Sequence, residues 1–86
     1  MSTVHASHPD IVKRLKRASG HLNKVITMIE EGTPCLDVAQ QLHAVANAVA
    51  NARTAYVQDH IEHCIDGSHG DPKEVVGELK EISKYL

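Results

Sequence analysis

The chain has 86 residues with no Phe, no Trp and two Tyr, so its apolar content comes from Ala, Val, Ile and Leu, which suits helix packing better than an aromatic core. A chain this short buries only about 60 to 65% of its unfolded surface when it folds alone, and its size favours an oligomer. The formal net charge is −2, no apolar run reaches the roughly 18 to 20 residues that span a bilayer, and the start has no signal-peptide pattern. This reads as a cytoplasmic protein with no membrane partner, where two cysteines serve as ligands or reactive thiols more often than as a structural disulfide.

Charge is segregated along the chain. Residues 1–27 hold Lys13, Arg14, Lys16, Arg17 and Lys24 against Asp10 alone, a net of +4, while the remainder carries −6. Local potential rather than total charge attracts phosphate, so the first segment is a candidate nucleic-acid surface despite the negative total.

Residues 1–8 lack periodicity and read as a flexible N-terminal arm; residues 9–86 read as a single helical domain. Pro9 opens a first helix. Ile11, Leu15, Leu22, Val25, Ile26 and Ile29 recur at helical spacing to about Glu31, and Gly32 is the expected C-terminal cap. Thr33 and Pro34 restart a helix, Thr33 as N-cap and Pro34 in the first turn. No Gly or Pro then interrupts the chain until Gly67, which predicts a helix of about 31 residues and roughly 46 Å. Residues 67–70 form a turn, and Asp71-Pro72-Lys73-Glu74 reads as a capping box for a last helix with Val75, Val76, Leu79 and Ile82 on one face. The fold class is all-α, three helices with one very long central helix.

On a helical wheel Cys35, Val38, Leu42, Val45, Val49, Ala52, Tyr56, His60 and Cys64 fall within an arc of about 120°. His60 and Cys64 are four apart and can hold one ion together, with His63 as a rival on the same arc. Cys35 lies about 37 Å away on a continuous helix and cannot join them within one chain. Two chains paired antiparallel through this stripe, with the twofold axis near Ala48 and Val49, bring Cys35 beside His60 and Cys64 of the partner at both ends of the dimer. A lone Cys or His on an apolar stripe is ordinarily a core residue; three convergent ligands shift the balance toward a site. Two sulfurs and one imidazole suit Cu(I), Zn(II) or, with a further nitrogen, planar Ni(II). His5 or His8 on the arm could supply that nitrogen, whereas His21, His43 and His69 have no ligand spacing.

Lys13, Arg14, Lys16, Arg17 and Lys24 crowd the polar side of the first helix, and Arg53 can add to that surface from the long one. A charge run is usually a solvated face, and no helix-turn-helix, basic zipper or finger is present. As a DNA surface it would bind mainly through phosphates, with strong salt dependence.

The segments IVKRLKRASGHLNKVITMIEEG, CLDVAQQLHAVANAVANA and DHIEHC, with Cys35, His60 and Cys64 at their spacing, resemble the copper- and nickel-sensing repressors of the CsoR and RcnR type, small all-helical bacterial DNA-binding proteins, over about residues 8–65. The resemblance implies a disc-like tetramer, a dimer of antiparallel four-helix-bundle dimers, that represses efflux genes on double-stranded operator DNA when metal-free and leaves the DNA when metal binds. Carried over by position, Cys35 of one chain with His60 and Cys64 of its partner would hold the metal, and Arg14 and Arg17 would belong to the DNA surface. The nickel and cobalt branch has a further ligand near the N-terminus; position 3 here is Thr, so the role passes to His5 or, second, His8. Several copper sensors have Tyr where this chain has Pro34, and formaldehyde- and persulfide-sensing branches differ at Ser2, His60 and Cys64. The combination resembles nickel sensors, with Ni(II) or Co(II) first and Cu(I) second. Competing readings are a thiol-redox or persulfide-responsive repressor using Cys35 and Cys64, and a small metal store or chaperone; no catalytic constellation converges.

Overall fold

The structure is a computed structural model, and it describes residues 7–65 and 71–86. Its elements are α1 (His8–Glu30), α2 (Cys35–Ile65) and α3 (Pro72–Ser83), and the described residues contain no strand. Helix α1 takes in His8, one residue ahead of the expected start, with Pro9 in the first turn. Its end is a Schellman motif. The Gly32 N–H donates to the Ile29 carbonyl at 3.1 Å and the Thr33 N–H to the Met28 carbonyl at 2.9 Å, and Gly32 sits at φ 76, which a residue without Cβ adopts at least cost.

Helix α2 begins at Cys35, where the Pro34 carbonyl accepts from the Val38 N–H at 3.2 Å. Pro34 therefore holds the cap position that the sequence pattern assigned to Thr33: a proline can close the ladder through its carbonyl as readily as enter the first turn. Helix α2 runs 31 residues unbroken, as expected. Asp71 caps α3 through a carboxylate that accepts from the Lys73 N–H at 3.1 Å, one residue short of the partner a capping box uses.

Helices α1 and α2 form an antiparallel hairpin whose seam repeats every seven residues. Ile11, Ala18 and Val25 of α1 and Val38, Val45 and Ala52 of α2 are buried, and Val25, at 1% exposure, centres a cluster with Val38, Val45 and partly buried Met28. Four residues beyond each buried position stands a second apolar row. Leu15, Leu22 and Ile29 of α1 and Leu42, Val49 and Tyr56 of α2 are all exposed. In an antiparallel pair these rows share one flank of the hairpin. The stripe read from the sequence thus divides: one row closes the chain on itself and the other remains on the surface.

That surface is large. The chain exposes 6399 Å², whereas a compact monomer of 9.4 kDa exposes about 5,000 Å². Helix α3 contributes little, since none of its residues is fully buried, and the molecule extends 55 × 23 × 16 Å.

Candidate metal centre

Because α2 is unbroken, its two ends keep their ligands apart by the helical rise, about 37 Å between residues 35 and 60. Cys35 is exposed and borders an apolar cavity of about 420 Å³ between Ile29, Val38 and Leu42, on the flank that carries the unpartnered rows. Cys64 belongs by its backbone to the last turn of α2.

His60 shows the most definite geometry of the set. Its Nε2 lies 2.8 Å from Glu78 Oε1 of α3, with the imidazole 24% and the carboxylate 55% exposed. A carboxylate that accepts from Nε2 fixes the tautomer of a neutral ring and makes Nδ1 its basic nitrogen, the arrangement by which such partners orient metal-binding histidines. Glu78 was not a sequence candidate; it is one of three acids on a short amphipathic helix and acquires meaning only when α3 brings it to His60.

His8 stacks on Tyr56, with ring centroids 5.1 Å apart and planes inclined by 14°. Tyr56 stands one turn before His60, so the beginning of α1 lies at the His60 end of α2. His5 lies outside the described residues. His63, the rival ligand, is half-buried in the same last turns.

Among the described residues no three of His, Cys, Asp and Glu gather within one chain to hold an ion. The donor chemistry nevertheless fits a soft or borderline metal: a surface thiol at one end of α2, and an imidazole oriented by a carboxylate at the other, one turn from a second thiol. The unbroken helix makes joining them a matter for two chains.

The basic residues divide by flank. Arg14, Arg17 and Lys24 lie on the side of α1 away from the unpartnered apolar row, and Lys13 and Lys16 point outward; all are exposed. Arg53 stands one turn after Val49 on the apolar flank of α2, so within one chain it does not join the α1 residues. Arg14 Nε pairs with Asp10 at 3.2 Å. His21, which lacked ligand spacing, bridges the two helices, its Nε2 2.6 Å from Gln41 Oε1.

The chain matches the profile of a family described as metal-sensitive transcriptional repressors over residues 7–85. Among curated proteins it is 32% identical to the copper-sensing transcriptional repressor CsoR of Bacillus subtilis over 76 residues, 86% of this chain and 75% of that one. It is 33% identical to CsoR of Mycobacterium ulcerans over 76 residues, 86% of this chain and 65% of that protein. Among solved structures it resembles the nickel-responsive transcriptional regulator InrS, with TM-score 0.83, 31% identity and full coverage of both chains.

Proposed function

From the premise that this chain belongs to the family of metal-sensitive transcriptional repressors, we propose that it binds operator DNA when metal-free and releases it on binding Ni(II) or Co(II) at a site shared between two chains, freeing metal efflux genes for transcription. Its family consists of transcriptional repressors, not enzymes. No helix among the described residues is long and apolar enough to cross a membrane, and the proposed place of action is the cytoplasm.

The reading is carried by one observation. Cys35 and the His60–Cys64 pair occupy opposite ends of a continuous helix, and the row between them, Leu42, Val49 and Tyr56, is 42%, 46% and 46% exposed. An antiparallel partner packed on that row removes apolar surface from water and aligns the start of one α2 with the end of the other. Cys35 of one chain would then hold the ion with His60 and Cys64 of its partner, and His5 or His8 would complete the set. With the ion bound, ligands from two chains tie the two α2 helices together at both ends, and a dimer so tied differs in its affinity for DNA. Two such dimers would form the tetramer.

Nickel is favoured by His8, which stacks on Tyr56 at the His60 end, and by the nickel-responsive InrS, similar along the whole chain. A Cu(I) sensor is the second reading, supported by the copper-sensing CsoR relatives. Fluorescence anisotropy of a labelled duplex from upstream of the chain's own coding region tests the function. Saturating Ni(II) is expected to weaken binding about 5- to 150-fold, and Cu(I) to do so less. Unchanged affinity with both metals would sink the proposal.

A further inference from the structure

One groove lies on the flank away from Cys35 and takes no part in the metal centre. It has a volume of about 290 Å³ and is lined by Arg14, Arg17, Ala18 and His21 of α1 with Ala48 and Asn51 of α2. Its origin is the row next to the buried seam. Where α1 places Arg14 and His21 toward α2, α2 answers with Gln41 and Ala48, and an alanine opposite a long polar side chain leaves space that no apolar group fills.

The chemistry of the walls is one-sided. Two guanidiniums and an imidazole come from α1, while α2 contributes an amide and a methyl group and no charge. Asp10 holds Arg14 through Nε at 3.2 Å, and the guanidinium carries further terminal N–H donors. His21 is half-buried, and its bond to Gln41 at 2.6 Å fixes the ring in the groove wall. Fixed donors around a small concave space are what a tetrahedral oxyanion requires.

We infer that this groove seats one backbone phosphate of duplex DNA, with Asn51 donating a hydrogen bond beside Arg14 and Arg17, His21 donating through Nδ1 as the imidazolium beside the anion, and Gln41 acting as the positioning residue that accepts from His21 Nε2. The inference rests on the operator-binding reading and sharpens it: one phosphate is held by a built pocket rather than by mobile surface charges. Each protomer of an oligomer carries one such seat, so copies of it repeat along the DNA.

The test measures affinity for the same labelled upstream duplex across a series of salt concentrations, using metal-free full-length protein. Losing one cationic phosphate contact lowers the magnitude of the log–log salt slope by about 1 per seat engaged. His21→Ala and Asn51→Ala, which remove hydrogen-bond donors rather than fixed charge, are each expected to weaken binding several-fold with little change in slope, Arg14→Ala and Arg17→Ala to weaken it and flatten the slope, and His43→Ala, on the exposed face of α2, to change neither. Gln41→Ala is expected to weaken binding less than His21→Ala and to add nothing in the double variant. Asn51→Ala leaves the His21–Gln41 bond in place, so it reads the pocket even if His21→Ala loosens the hairpin. Unchanged affinity in His21→Ala and Asn51→Ala, while Arg14→Ala and Arg17→Ala weaken binding, would overturn the seat. So would inorganic phosphate, at matched ionic strength, failing to compete any better than chloride. An absence of salt-dependent binding by the wild-type protein would instead remove the operator-binding reading itself.

Discussion

His60 and Glu78 are joined across 2.8 Å, and through them the candidate metal ligand on α2 is coupled to α3, the helix that buries least. The contact favours one orientation of the His60 ring. It also makes the position of α3 depend on what His60 binds.

Glu78→Gln keeps the size of the side chain but removes the acceptor charge that orients the imidazole. Metal affinity, measured by competition with a chelator of known strength, is expected to fall about 10- to 100-fold with the same stoichiometry. An unchanged affinity would mean that the contact only docks α3.

A site built from two chains can be reassembled from two defective ones. Cys35→Ala and His60→Ala proteins are each expected to lose tight metal binding. Mixed in equal amounts under conditions that allow exchange, half the dimers are hybrids with one intact site of two, restoring about a quarter of the wild-type capacity. Zero recovery, with exchange verified by mass, would argue for a site within one chain.

Val49 lies in the middle of the exposed apolar row, away from the seam that closes the hairpin. Val49→Glu is expected to lower the mass seen by sedimentation and to abolish tight metal binding at the same time, because both depend on the same antiparallel register. An assembly of wild-type mass would place the interface elsewhere.

Gly32 has no atom within 4 Å of where a Cβ would stand, so Gly32→Ala meets no steric obstacle and tests backbone conformation alone. At φ 76 the cost is expected to be about 1 kcal/mol, seen as a drop of several degrees in the thermal midpoint. DNA and metal affinity of the folded fraction are expected to stay as they were.

Much of the fold is legible in the chain. Gly32, Pro34 and Asp71 punctuate three helices, and the errors are of one residue, since His8 can enter a helix before Pro9 and Pro34 can cap through its carbonyl. The candidate ligands stood out because they are chemically unusual on an apolar stripe and because helical rise converts their spacing into distance. Glu78, His21 and Gln41 could not be read so. An acid, an imidazole and an amide on amphipathic helices look solvated until a particular neighbour is brought within hydrogen-bond reach.

By itself, then, the sequence determined the helices and the separation of Cys35 from His60 and Cys64, because capping and rise are local properties of the backbone. Only the tertiary structure decided which of two apolar rows closes the hairpin, which flank carries Arg53 and which the basic groove, and what orients His60. Rows four residues apart are nearly equivalent in a helix pattern, and the choice between them is made by the volumes of the side chains that meet across the seam. Val25 against Val38 and Val45 fills that seam, and Leu42, Val49 and Tyr56 are left facing outward.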